Sequence, residues 1–183
     1  IMATFVVGPF YLTQALGLGA AAVGLVMSAG PVVSAVCGVP AGRLVDRFGA
    51  GRVSRAGLAG VALGAALLAA APATLGVAGY VGPIVLLTAG YASFQAANNT
   101  GVMASIGAEQ RGLVAGMLNL SRNLGLVTGA SVLGALFVRG AGVTDLAAAA
   151  PAAVARGMTA TFAVAALLGA GGFVIAWRNR GAH

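Results

Sequence analysis

The chain has 183 residues, of which 60% are hydrophobic and 7% charged; its formal net charge is +7 and its mean hydropathy +1.00. A soluble domain carries roughly 25% charged residues and a disordered chain needs low hydrophobicity, so both classes are excluded. The positive charge comes from arginines alone, and they lie between apolar runs instead of on one soluble face. That distribution argues against a nucleic-acid partner and for a chain embedded in a lipid bilayer. The runs are continuous over about 20 residues, which fits helices crossing a hydrocarbon core and not the alternating segments of a barrel.

Six spans are predicted, at residues 1–16, 20–41, 56–73, 80–105, 112–138 and 158–177. The first starts already apolar at Ile1, with no basic leader before it, and reads as a chain beginning within or just before a helix. Gly17-Leu18-Gly19 ends it. The second carries Pro31 and Pro40 and leads into a charged loop, Gly42 to Arg55. The third contains only Ala, Gly, Leu, Val and Pro. A short uncharged turn leads to the fourth, and Glu109-Gln110-Arg111 marks the turn before the fifth. An alanine-rich loop, Arg139 to Gly157, precedes the sixth, which closes on Trp177 and Arg178. Gly8-Pro9 and Gly82-Pro83 are expected to interrupt the first helix of each three-helix set, as in transporter repeats. Four Gly-x-x-x-Gly pairs, starting at Gly38, Gly60, Gly112 and Gly125, offer close helix contacts.

Arg43, Arg47, Arg52, Arg55, Arg111, Arg178 and Arg180 fall on one side of this arrangement, and only Arg139 and Arg156 on the other. The positive-inside rule then makes the basic side and the C-terminus cytoplasmic. Trp177 sits where an interfacial anchor belongs.

Polar residues within the spans are unevenly spread. The third and sixth spans can face lipid almost all round. The first holds Tyr11 and Gln14, the fourth Gln95, Asn98 and Asn99, and the fifth Asn119, Arg122 and Asn123. The last two sets have i, i+3, i+4 spacing, so each shares one helical face. Such groups are either interhelical glue or the lining of a wetted cavity; taken together, they favour a substrate cavity. Arg122 lies ~16 Å along its helix from Arg111, near the bilayer centre, where an arginine costs at least ~2.5–3.5 kcal/mol. It should meet water, a ligand or a counter-ion, or else pair with backbone carbonyls at a helix contact. Asp46, Glu109 and Asp145 are all expected in loops, so no acid of this chain is placed to pair with it. Cys37 is the only cysteine and His183 the only histidine, which leaves neither metal site nor catalytic dyad, and no cofactor is expected. Ser28, Ser34 and Ser93 lack a histidine or acid to activate them, so an intramembrane enzyme is not expected.

The stretch Gly42-Arg43-Leu44-Val45-Asp46-Arg47-Phe48-Gly49 resembles the signature loop of the major facilitator superfamily, which lies between the second and third helices of a six-helix half. Ala50 and Gly51 stand where that signature often has basic residues, leaving Arg52 next in line. The segment from Arg111 to Gly125 is similar to the penultimate helix of fourteen-helix drug:proton antiporters, and Gln95–Thr100 and Gly157–Phe162 resemble the same subfamily. The resemblance covers the whole chain as a C-terminal half. It implies an all-α polytopic membrane protein, six transmembrane helices forming one half, a 3+3 inverted repeat, of a major facilitator fold. It further implies an N-terminal half of the same transporter as partner, and alternating access between the halves. Gly42, Asp46, Arg47, Gly49 and Arg52 would form the conformational-switch loop, with Asp46 meeting a helix end of the other half. The expected function is secondary active transport, with proton-coupled efflux of small hydrophobic compounds as the leading reading and a coupling carboxylate outside this sequence. The alternative is a uniporter or importer of a polar or anionic metabolite held by Arg122; a scaffold or channel is the remaining class.

Overall fold

The computed structural model describes residues 1–71, 73–143 and 149–178. Every regular element among them is helical. In chain order they are α1 (Met2–Phe10, continued by a π-helical turn Tyr11–Ala15), α2 (Ala20–Met27), α3 (Ala29–Phe48), α4 (Ala50–Ala70), α5 (Gly76–Ala104), α6 (Arg111–Ala141) and α7 (Pro151–Arg178). Short 3-10 turns precede α5 and α6.

Five segments are long and apolar enough to cross a membrane: Ala20–Phe48, Ala50–Ala70, Gly76–Ala104, Ala108–Ala141 and Pro151–Arg178. The first expected span is helical too, but its nine α-helical and five π-helical residues give only roughly 20 Å at ~1.5 Å per residue. The expected charged loop at 42–55 is not a loop. α3 continues to Phe48, α4 starts at Ala50, and Asp46 and Arg47 lie in the last turn of α3. Arg139 and Arg156 are likewise helical, at the end of α6 and the beginning of α7, where a loop is expected; Asp145, inside 144–148, lies outside the described residues, as does Arg180. The reason is common to all these boundaries. Apolar composition marks the part of a helix inside hydrocarbon, whereas helical hydrogen bonding continues into the polar interface.

Gly49 alone separates α3 from α4. Its φ of 83° and ψ of 149° belong to a region that is essentially glycine's. A side chain there would meet no neighbouring atom, so the constraint is the backbone itself. Gly49→Ala should therefore cost about 1–3 kcal/mol, seen as a lower thermal midpoint of the purified full-length protein. An unchanged midpoint would mean that the turn relaxes without loss.

Neither Gly-Pro pair interrupts its helix. α5 runs through Pro83, and α1 through Pro9 before widening into the π turn, where the Leu16 N–H donates to the Tyr11 carbonyl at 3.1 Å. Gly8 instead makes room for a neighbour, because a Cβ there would collide with the Tyr80 hydroxyl and the Met27 sulfur.

α4 is the central helix, packed along α5 on one side and α7 on the other. It does not face lipid all round. From Ala56 onward it has no polar side chain, and its glycines allow close packing: Gly57 and Gly64 are buried against Gly90, Phe94 and Leu87 of α5. Of the four glycine pairs, the one at Gly60 and Gly64 serves this contact, whereas Gly38, Gly42, Gly112, Gly116 and Gly125 have open space beside them.

The packing has an internal symmetry. α3 packs on α5 as α6 packs on α1, α3 meets α4 as α6 meets α7, and α4 and α7 meet each other. With α2 and α3 counted as one span, exchanging the triplet α1–α4 with the triplet α5–α7 maps these contacts onto one another, the pattern expected of a three-plus-three repeat. The main core gathers at one end of the bundle around Val7, Tyr11, Leu12, Leu68, Tyr80, Phe137 and Phe162. At the other end only Val45, Val53 and Ala97 form a small cluster. Arg55 stacks its guanidinium over the Trp177 ring at 5.9 Å, placing the start of α4 and the end of α7 at one level.

Candidate functional site

α5 and α6 are neighbours in sequence yet barely touch. Between them lies a cavity of about 480 Å³. On the α5 side Gln95, Asn98 and Asn99 line it, and on the α6 side Ser121 and Arg122. Its floor is apolar, from Val61 of α4 and Leu168 of α7, and Met2 of α1 closes one end.

The two polar helical faces are thus brought to one space, though not all their members enter it. Arg122 is half-buried and donates from a guanidinium nitrogen to the Asn119 Oδ1 at 3.3 Å. Asn119 is exposed and borders the cavity only through this bond, which restrains the arginine from one turn back on the same helix. Asn123 is exposed on α6 outside the cavity wall. Tyr11 is in a different place altogether: it is buried in the main core, stacked on Tyr80 with ring centroids 6.0 Å apart, and borders a separate cleft near Arg156. Gln14 is half-buried in the π turn, also away from the α5–α6 cavity. The expectation that Tyr11 and Gln14 share the cavity fails because α1 packs its C-terminal end into the dense end of the bundle, while the polar cavity lies toward the other.

Sequence reasoning overlooked Tyr91 and Phe94, which join the wall. The signal was available: Tyr91, Gln95 and Asn98 have the i, i+4, i+7 spacing of one helical face. It also overlooked α4 and α7, whose small, apolar side chains form the floor. With no acid among the residues lining the cavity, Arg122 is its one charge, and a guanidinium with amides around it can hold an anionic or hydrogen-bond-accepting group.

The switch residues occupy the junction of α3 and α4. Asp46, Arg47 and Arg52 are exposed, Gly42 is half-buried, and Gly49 makes the turn. Arg47 lies over the Phe48 ring at 5.2 Å.

Residues 1–182 match the family model of the Major Facilitator Superfamily. The chain belongs to this superfamily. Its architecture of long apolar helices makes it a multi-pass membrane protein of a family of transporters, not of enzymes. It is 34% identical over 125 residues to the uncharacterized transporter YebQ of Escherichia coli K12, covering 68% of this chain and 27% of that protein. It is 30% identical over 127 residues to the multidrug efflux pump LfrA of Mycolicibacterium smegmatis, covering 69% of this chain and 25% of that protein. The matched region thus spans about a quarter of the length of these curated relatives. No solved structure matches the chain. Within transporters built from inverted repeats, substrates bind near the midplane at the interface between repeats.

Proposed function

We propose that the chain serves as the C-terminal six-helix half of a secondary active transporter that expels small, largely hydrophobic compounds in exchange for protons. The observation that carries the reading is the cavity between α5 and α6, where Gln95, Asn98, Asn99 and Arg122 meet an apolar floor inside a bundle of membrane-length helices. The likeness to LfrA, named a multidrug efflux pump, supports the direction and breadth of transport. The segments around Arg111–Gly125 and Gln95–Thr100 support the fourteen-helix drug:proton subfamily. The dense end of the bundle and the cavity at the other end suit one state of an alternating-access cycle, with the N-terminal half as the moving partner. Asp46, exposed in the last turn of α3, is the residue we expect to meet that half. Among the described residues no acid lines the cavity, which supports a coupling carboxylate in the N-terminal half. The clustering of arginines on one side supports a cytoplasmic C-terminus, and an exporter of this kind would act in the cell's inner membrane.

The test uses the full-length protein in proteoliposomes with an imposed pH gradient. Chloramphenicol, a neutral compound with a single aromatic ring, serves as the probe. Gradient-driven movement is expected, with Asn98→Ala and Asn99→Ala each raising KM severalfold at unchanged protein levels. Normal KM in both variants would remove the cavity from the transport path. Movement indifferent to the gradient would remove proton exchange. One observation favours a second reading: among the described residues Arg122 is the one charged side chain lining the cavity, which suits a uniporter or importer of an anionic metabolite. Uptake of organic anions with no efflux of chloramphenicol would favour it.

A further inference from the structure

One face of α5 runs through Tyr80, Ile84, Thr88, Tyr91, Gln95 and Asn98, with spacings of three and four residues. At ~1.5 Å per residue it extends roughly 27 Å, nearly the full hydrocarbon thickness. Its second half borders the polar cavity. Its first half borders another, half-open cavity of about 180 Å³, lined also by Phe5 of α1, Met27 of α2 and the exposed Pro31 and Ser34 of α3. Tyr91 and Ile1 line both, so the Tyr91 side chain is part of the wall between them.

The smaller cavity is apolar in effect. The Tyr80 hydroxyl is already used, donating to the Thr4 carbonyl at 3.4 Å and lying 3.7 Å from the Met27 sulfur. Thr88 is buried, and no buried side-chain nitrogen or oxygen among the described residues lacks a partner. Apart from the Ser34 hydroxyl at the exposed rim, the remaining surface is mainly aromatic, aliphatic and thioether, which favours flat apolar groups. An apolar cavity of about 150 Å³ admits one benzene ring, and this one is of that size.

We propose that the smaller cavity is a ring-binding compartment of the same transport site, with Tyr91 as its selectivity residue, and that the preferred ligand is an amphiphilic aromatic anion. The anionic head sits at Arg122 among Gln95, Asn98 and Asn99, and a single ring passes Tyr91 into the compartment between α1, α3 and α5. This rests on the reading of the α5–α6 cavity as the substrate site. It explains how one chain can offer both a hydrophobic site and an arginine: each takes a different end of the ligand. The ring supplies affinity through burial, and the arginine supplies orientation.

Binding is measured by calorimetry on the purified full-length protein in detergent, with propane-1-sulfonate, 3-phenylpropane-1-sulfonate and its naphthyl counterpart. The phenyl compound is expected to bind at least about tenfold more tightly than propane-1-sulfonate, and the naphthyl compound no better than propane-1-sulfonate. Ile84→Trp fills the ring compartment away from the polar cavity; it should abolish the phenyl gain and leave propane-1-sulfonate unaffected. Tyr91→Ala removes the wall and should admit the naphthyl compound. If Ile84→Trp does not fold, the naphthyl selectivity of Tyr91→Ala decides alone. An unchanged ranking of the three probes in the folded variants overturns the ring compartment. Loss of that kind is distinguishable from failure of the underlying reading, in which Arg122→Gln would leave the affinity for all three sulfonates unchanged.

Discussion

Replacing Gly57 or Gly90 with alanine is expected to separate α4 from α5 and to destabilise the protein strongly. A Cβ at Gly57 would lie 2.6 Å from both the Gly90 carbonyl oxygen and the Phe94 nitrogen. A Cβ at Gly90 would lie 2.8 Å from the Gly57 carbonyl oxygen and the Val61 nitrogen. The obstructing atoms are backbone on both sides, so no rotamer change can relieve the clash and one helix must move. Overpacking in a side-chain core costs about 1–3 kcal/mol, and a backbone–backbone clash belongs at or above the top of that range. There is no hydrophobic drive between helices in lipid, where association relies on close packing, so separation is not compensated by burial elsewhere. The cavity should suffer as well, since Val61 of its floor and Phe94 of its wall flank this contact. Thermal unfolding of the purified full-length protein should show a large drop for both variants. Gly172→Ala provides the comparison, because a Cβ there meets only Leu58 Cδ2 at an ordinary 3.6 Å. If Gly57→Ala matches Gly172→Ala in stability, the close approach of α4 and α5 does not hold the bundle together.

Gly57 also illustrates what can be read from a membrane sequence. Helix existence was legible because hydrocarbon forces every amide to bond within its own segment, and an apolar run of adequate length has one solution. Helix ends were less legible: the arginines of 43–55 look like loop residues, yet nothing prevents them from being helical at the interface, and only Gly49 needs to leave the helix. Which greasy helix lies inside was not legible at all. Lipid tails and neighbouring helices are equally apolar, so the composition of α4 suits both, and its central place emerges only from which glycines find backbone opposite them. The polar faces of α5 and α6 were legible from their spacing, because an amide or arginine in hydrocarbon has few places to go. Tyr11 misled for a related reason. A tyrosine is amphipathic and packs equally well as a core ring, which is how it meets Tyr80.

Arg122 distinguishes a functional from an architectural use of a buried cation, and Arg122→Ala is expected to reduce transport by the full-length protein at least tenfold while leaving its thermal stability unchanged or raised. An arginine near the bilayer centre costs at least ~2.5–3.5 kcal/mol on insertion scales. In this chain its only hydrogen bond to another side chain among the described residues is to Asn119 on its own helix, so removing it breaks no contact between helices. The cost is tolerated because the side chain borders a cavity of about 480 Å³ that water or substrate can fill. Were Arg122 instead a tie between helices, its loss would lower stability and would affect transport of every compound in proportion. Arg122→Lys keeps the charge but loses the planar guanidinium fork. It should retain part of the transport of anionic aromatic compounds if charge alone matters, and as little as Arg122→Ala if the fork is what orients the ligand. Transport and unfolding measured on the same preparations separate these cases. A sharp drop in stability for Arg122→Ala, with residual transport following the folded fraction, would make the arginine a structural strut and leave the amides of α5 as the principal polar contacts of the cavity.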